Sequence, residues 1–320
     1  MSRSAEVRLM TKIARLYYEQ EMRQQDITAR LKIHQSTISR LLKRARLEGV
    51  VRTTVAVPTG IFPEIEESLE KRYGIQEAVV VDAINEEEHT ARDLGAAAAF
   101  WLETRVKPGM IIGISSWSRS LIAMLDSLHK SDQGRNGTVV QILGGLGNVG
   151  SQSHATRLAH DLASRIGADP ILLQAPSVVA TPEARDVLCR DPAVKGASIL
   201  FGKLDVALVG VGSVQPSSLL ASSGNVFSLA ELKKIQAQGA VGDICLRFFD
   251  INGVPVNSTL MARVIGIDLP TLKKAKTVVG IAGGTRKLAA IRAAMLGGWI
   301  DVLITDRQTA EQLLVVHRKP

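Results

Sequence analysis

Short apolar runs alternate with helical stretches between residues 78 and 304, and no other pattern narrows the fold as much. The runs are Ala78–Val81, Met110–Ile114, Val139–Leu143, Ile171–Leu173, Val206–Val209, Ile244–Phe249, Val278–Ile281 and Val302–Ile304. Helical spacing fits between most of them, as at His89–Arg105, Arg157–Ile166, Leu229–Gln238 and Arg286–Leu296. Strands this short and this continuously apolar suit burial on both faces, and helical crossovers join parallel neighbours. The expectation is a Rossmann-like, largely parallel α/β domain. At 320 residues the chain has room for a second folded unit.

The charge shows where that unit lies. Residues 1–56 hold 12 Lys or Arg against 5 Asp or Glu, a local excess of +7 within a total of +8. Such asymmetry suits a polyanion-binding end joined to a neutral body. From 57 to 105 the balance reverses, with 11 acidic residues against 4 basic, and Pro58, Gly60 and Pro63 break the chain. The expected domains are therefore 1–57 and 58–320, with a linking helix at Glu64–Tyr73. The longest unbroken apolar stretch, Ala96–Leu102, is far short of the roughly 20 residues of a membrane span. Cys189 and Cys245 lie far apart with no metal-ligand spacing, so they read as buried thiols of a cytoplasmic chain without a metal.

Leu9, Ile13, Leu16 and Tyr17 recur at helical spacing and predict a helix over Val7–Glu19. Gln24–Leu31 follows, then the turn Lys32-Ile33-His34, then a helix over Gln35–Glu48. Ile38, Leu41, Leu42 and Ala45 form the apolar face of this third helix, and Gly49 stops it. Val50–Val57 alternates like a strand and predicts a short wing. Two short helices joined by a tight turn, the second polar and basic, make a helix-turn-helix. An α-helix fits the major groove of double-stranded DNA, so Gln35, Ser36, Thr37, Ser39 and Arg40 are candidates for base contacts. Lys43, Arg44 and Arg46 are candidates for the phosphate backbone, and Gln24 is a further DNA-binding candidate. A plain three-helix bundle with a solvated basic face explains the charge less well. His34 sits where Ser, Thr or Asp would normally cap the helix.

In open parallel sheets ligands bind at the carboxyl ends of the strands. Those ends carry Ser115-Ser116-Trp117-Ser118-Arg119-Ser120, Gly144-Gly145-Leu146-Gly147-Asn148, Gly210-Val211-Gly212-Ser213 and Ala282-Gly283-Gly284-Thr285-Arg286-Lys287. The run at Ile244 opens with Gly242-Asp243 and closes with Arg247, Phe248, Phe249 and Asp250. Glycine loops let backbone N–H groups approach an anion, and a following helix N-terminus adds its dipole. A phosphate would suit the serine-rich turn, with Arg119 or Lys287 as counter-charge. Any single loop has an ordinary reading as a tight turn or helix cap; several along one edge point to a polar small-molecule pocket. Gly145–Gly150 matches G-x-G-x-x-G, but Leu173 at the end of the next strand is followed by Gln174, not by an acid. No nicotinamide cofactor is expected.

The segment QQDITARLKIHQSTISRLLKRARLEGVV resembles the DNA-binding region of the SorC family of bacterial transcriptional regulators. GISSWSRSL, VVQILGGLGN, SSGNVFS, GAVGDICLRFFD, RVIGIDL, VVGIAGGTRKLAAI and LITDRQTA resemble the family's effector domain in the family's order. The resemblance implies a fold like that of sugar-phosphate isomerases and deaminases, a phosphorylated sugar as effector, no other cofactor, and a homodimer or homotetramer on a palindromic operator. It places Ser116, Ser118 and Ser120 around the phosphate, Gly144, Gly145 and Gly147 along the sugar, and Asp243 and Lys287 on its hydroxyls or phosphate. Together with Gly113, Ser115, Arg119, Asn148, Arg247, Phe248, Gly283 and Gly284, these form the candidate effector site.

Two other functions fit some of these residues. In a sugar-phosphate isomerase or deaminase with a DNA-binding appendage, Asp243 would shuttle a proton and Lys287 act as electrophile. No histidine falls on the expected pocket edge, which weighs against this. An architectural DNA binder would have no ligand. The charge division and the clustered loops favour a ligand-controlled regulator that is not an enzyme.

Overall fold

The computed structural model describes residues 3–51, 58, 60–83, 87–146, 149–224 and 227–315. The chain divides into two units, Met1–Pro58 and Thr59–Pro320.

Three helices make the first unit: α1 (Arg3–Tyr18), α2 (Gln24–Leu31) and α3 (Gln35–Leu47). Met10, Ile13, Ala14 and Leu16 of α1 pack with Ile27 of α2 and with Ile38, Leu41, Leu42 and Ala45 of α3. These are the apolar positions of the 3.6-residue pattern, so the period in the sequence becomes the core. Lys32 turns the chain in the left-handed conformation after α2, and Gly49, at φ 72°, does the same after α3. His34 caps α3 with no side-chain bond. Most of the expected wing lies outside the described residues.

The second unit is built on a seven-stranded sheet of order β1-β10-β9-β5-β2-β3-β4, parallel throughout. The strands are β1 (Glu77–Val81), β2 (Ile111–Ile114), β3 (Thr138–Gln141), β4 (Asp169–Ile171), β5 (Val206–Gly210), β9 (Thr277–Ile281) and β10 (Val302–Asp306). A separate antiparallel sheet holds β6 (Gly212–Ser213), β7 (Ala240–Ile244) and β8 (Arg247–Asp250). The helices are α4 (Pro63–Tyr73), α5 (Glu87–Glu103), α6 (Arg119–Ser127), α7 (Val149–Ile166), α8 (Pro182–Arg190), α9 (Pro192–Ser198), α10 (Ser218–Ser222), α11 (Leu229–Ala237), α12 (Leu269–Leu272), α13 (Leu288–Leu296) and α14 (Arg307–Val315).

Alternation within each strand divides the interior in two. Ile112, Ile114, Val206, Leu208, Val279, Ile281, Val302 and Ile304 pack with α5, α6 and α7 on one face. Ala207, Val209, Val278 and Leu303 point the other way, into a core shared with α4, α9, α13, α14 and the antiparallel sheet. The free edge of β1 is covered by α4: Ala78 N–H donates to Glu70 Oε1 and Val80 N–H to Glu66 Oε1, each at 2.9 Å. An edge strand capped in this way cannot recruit a further strand. Burial holds the Glu66 carboxyl above its ordinary pKa, opposed by the bond from Val80.

The expected strand Ile244–Phe249 is corrected. It is not a member of the parallel sheet but the bend of the β7–β8 hairpin, in which Ile244 pairs with Arg247. Cys245 and Leu246 make the turn with φ of 52° and 59°. A two-residue turn of this hand matches the twist of the flanking strands. The sequence offers none of the Asn-Gly or Asp-Gly signals that usually announce it.

Candidate functional site

The strand order reverses between β5 and β2, which are hydrogen-bonded neighbours. From β2 the chain moves outward to β3 and β4, then returns to β5 on the opposite side of β2. A crevice opens at the carboxyl ends of strands at such a reversal. It holds a cavity of about 330 Å³. Ser115, Trp117, Ser118, Arg119 and Ser120 follow β2, Gly210 ends β5, and Gly212 and Ser213 come just after it. Gly283, Gly284, Arg286 and Lys287 follow β9, Asp306 ends β10, and Asp243, Cys245 and Leu246 come from the hairpin.

Two kinds of chemistry meet in this cavity. On one side Ser118 caps α6, accepting from Leu121 N–H, so the positive end of that helix opens among serine hydroxyls. Arg119, Arg286 and Lys287 add cationic groups to the lining. On the other side Asp243 is buried, its Oδ2 accepting from Leu246 N–H at 2.9 Å. Burial pushes its carboxyl up from 3.8 to about 6, against the bond from Leu246 and the charge of Lys287. A Cβ on Gly212 would stand 2.2 Å from Asp243 Oδ1, so only glycine at that position admits the carboxylate. The Cys245 thiol is raised well above its ordinary value by burial and by Asp243, which leaves it protonated and a poor nucleophile.

Eight of the expected effector residues therefore line one cavity: Ser115, Ser118, Arg119, Ser120, Asp243, Gly283, Gly284 and Lys287. Others are placed elsewhere. Gly113 lies inside β2 against Ile142 and Leu204, where a side chain would not fit. Ser116 is buried, its Oγ donating to Leu143 O at 2.6 Å and accepting from Gln141 Nε2 at 3.0 Å. Gly144 and Gly145 donate to Ile265 O and Ala175 O and so tie β3 to those segments. Arg247 spends its guanidinium on the carbonyls of Met261, Val264, Gly266 and Ile267, while Phe248 packs in the core beside Phe227. A charge at a strand end reads as a ligand contact, but here it staples a loop. Gly147 and Asn148 lie outside the described residues. Asp306 and Gln308 also line the cavity and were not among the expected residues. The signal for Asp306 was available: a carboxylate at the end of a strand, directly before a helix.

In the first unit Gln35, Ser36, Ser39, Arg40 and Lys43 are exposed along α3, while Thr37 and Gln24 are half-buried. Among the described residues neither Arg40 nor Lys43 has a carboxylate partner. Arg44 differs. It pairs with Glu6 at 2.5 Å and Glu48 at 2.7 Å, bracing α3 against α1. Those two carboxylates hold its pKa above the usual value and engage the charge otherwise offered to a phosphate. Arg46 is similarly engaged, donating to Tyr18 Oη at 2.8 Å.

Residues 62–315 match the Sugar-bind family of sugar-binding domains. The chain is 36% identical over 318 residues to the sorbitol operon regulator of Klebsiella pneumoniae, covering 98% of this chain and 100% of that one. The chain belongs to the SorC family of transcriptional regulators. The crystal structure of the full-length regulator SorC from K. pneumoniae superposes with a TM-score of 0.72 at 34% identity, over 97% of this chain and 99% of that one. The deoxyribonucleoside regulator of Bacillus subtilis is 30% identical over 96% of this chain and 97% of its own length. Relatives across this length are named as regulators, which does not favour the isomerase reading. This SorC-family chain is a ligand-responsive, DNA-binding regulator. No helix among the described residues is long and apolar enough to cross a membrane.

Proposed function

We propose that this regulator senses a phosphorylated sugar or sugar alcohol in the β2–β5 crevice and changes its grip on operator DNA in response. The carrying observation is the pairing, within one cavity, of a serine-capped helix N-terminus and three cations with a buried carboxylate. A phosphate dianion is favoured by the dipole of α6 and by charge-assisted bonds from Arg119, Arg286 or Lys287. Asp243 accepts hydrogen bonds from sugar hydroxyls. Relatives named as regulators of a sorbitol operon and of deoxyribonucleosides support a polyhydroxylated effector.

At the other end, α3 enters the major groove, with Gln35, Ser36, Thr37, Ser39 and Arg40 near base edges and Lys43 near phosphate. A homodimer or homotetramer would present two such helices to the halves of a palindromic site, about 34–36 Å apart or a multiple of that. The working compartment is the cytoplasm, where phosphorylated sugars are made.

Thermal denaturation in the presence of sorbitol 6-phosphate, fructose 6-phosphate and deoxyribose 5-phosphate tests the reading. A ligand at 100 times its Kd stabilises by about 2.7 kcal/mol. At least one phosphorylated compound should raise the melting temperature, and its unphosphorylated parent should not. If free sugars act as strongly as their phosphates, the cavity does not select for phosphate and the reading fails.

A further inference from the structure

The turn that carries Arg286 and Lys287 into the cavity is held by two buried side chains from another part of the chain. Gly284 N–H donates to Asp306 Oδ2 at 2.7 Å and to Thr309 Oγ1 at 2.9 Å. Thr309 donates twice to the same carboxylate, from N–H to Oδ1 at 2.8 Å and from its hydroxyl to Oδ2 at 2.7 Å. Asp306 is 4% exposed and Thr309 is fully buried. A Cβ on Gly283 would lie 2.3 Å from Asp306 Oδ2, so the glycine is what lets the carboxylate close on the turn. A buried carboxylate taking three donors fixes the turn in one place, because moving it strands polar groups in a dry interior.

Asp306 also caps α14, and the next residue faces a different structure. The Arg307 guanidinium lies 5.1 Å over the ring of Phe62, the residue that caps α4. Phe62 O accepts from Ile65 and Glu66 N–H at 3.0 Å and opens that helix. The far ends of the two helices are joined as well: Tyr73 Oη donates to Leu313 O at 2.7 Å, and Arg72 donates to Leu314 O. Helix α14 is thus clasped to α4 at both ends. The chain preceding Phe62 continues into the DNA-binding unit.

We propose that Asp306 and Thr309 are positioning residues for the effector turn, and that Arg307 on Phe62 carries the state of that turn to the segment leading into the DNA-binding unit. The inference rests on the effector reading of the cavity. A ligand bound to Arg286 and Lys287 acts on the Gly284 turn. Through its three-donor clamp the turn acts on the first residues of α14, and Arg307 passes the displacement to the start of α4. Coupling of this kind between ligand sites typically spans about 5- to 150-fold in affinity.

The test uses the full chain and three variants. Amide exchange of residues 62–66 and 284–288 is followed in wild type, Thr309→Val and Thr309→Ser, with residues 158–166 of α7 as an internal control. Val should speed exchange several-fold in both test segments and leave the control unchanged, and Ser, which keeps the hydroxyl, should restore both. Faster exchange at 284–288 alone overturns the coupling. In the second measurement Arg307→Gln should bind sorbitol 6-phosphate within about twofold of wild type, yet lose at least about fivefold of the ligand-induced change in operator affinity. An undiminished response in that variant also overturns the proposal. Should no phosphorylated sugar shift the melting of wild type, the effector reading is rejected, and the exchange measurement, which needs no ligand, still decides the coupling.

Discussion

Asp243→Asn should stabilise the unliganded protein while destroying part of its ligand site. The wild-type carboxyl ionises near 3.8 when unfolded and near 6 when folded. Its contribution to stability is therefore fully present below 3.8 and is lost as pH rises through about 6. At about 1.36 kcal/mol per decade, the ionised folded state carries a cost of about 3 kcal/mol at neutral pH. Asparagine is nearly isosteric, keeps an oxygen for the Leu246 N–H bond, and cannot ionise. The advantage of the variant should grow from well under about 1 kcal/mol at about pH 4 to about 3 kcal/mol at about pH 7.5. For a unit of this size that corresponds to roughly 6–12 °C in melting temperature at the higher pH. Calorimetry across this range without ligand provides the assay. A variant no more stable than wild type at about pH 7.5, or a gap independent of pH, would refute the account of Asp243.

Three further outcomes follow from particular contacts. Lys287→Met removes the charge that draws the proton from Asp243, so the carboxyl should titrate above its wild-type value of about 6, shifting the pH range of lost stability upward; carbon-detected NMR titration reads this directly. Gly242→Ala puts a Cβ 2.3 Å from the Cβ of Ala290 and 2.9 Å from its Cα, where β7 meets α13. Overpacking of this kind costs about 1–3 kcal/mol, and urea denaturation should show it. On DNA, Arg40→Ala should relax base preference by about 1–3 kcal/mol on the operator, whereas Lys43→Ala should weaken all sequences alike and flatten the salt slope by about one phosphate contact, as measured by fluorescence anisotropy.

Much of the fold was legible because burial leaves a period in the sequence. The helix-turn-helix declares itself through Ile38, Leu41, Leu42 and Ala45, which spacing assigns to one face and which are buried in one core. The parallel strands declare themselves as continuous apolar runs because helices cover both sides. The β7–β8 hairpin was not legible. Ile244-Cys245-Leu246-Arg247-Phe248-Phe249 reads as a single strand, and its turn places Cys245 and Leu246 at positive φ without glycine or asparagine. That turn brings Asp243 to the cavity, so the sequence could name the residue without showing its surroundings.

The candidate site was legible in its loops and less so in its individual residues. Backbone-donating glycines and serines mark a strand end, but composition does not say which of them face the cavity and which tie neighbouring segments together. Ser118 and Gly284 line the cavity, whereas Ser116 and Gly144 secure β2 and β3 to their surroundings. Arg247, which lies outside the cavity lining, and Asp306, which belongs to it, are both placed by partners far along the chain. The arginine answers backbone carbonyls from the 261–267 segment, distant in sequence, and the aspartate's reach to Gly284 N–H spans 22 residues. Side-chain bonds of that separation have no local signature.

Operator affinity, titrated with and without sorbitol 6-phosphate in wild type and in Lys287→Met, shows whether a phosphorylated ligand in this cavity controls DNA binding. Wild type should change its affinity by about fivefold or more on adding the phosphorylated compound, and Lys287→Met should hold the operator as wild type does yet ignore the compound. A Lys287→Met protein that responds like wild type, or a wild type that responds equally to unphosphorylated sorbitol, contradicts such control.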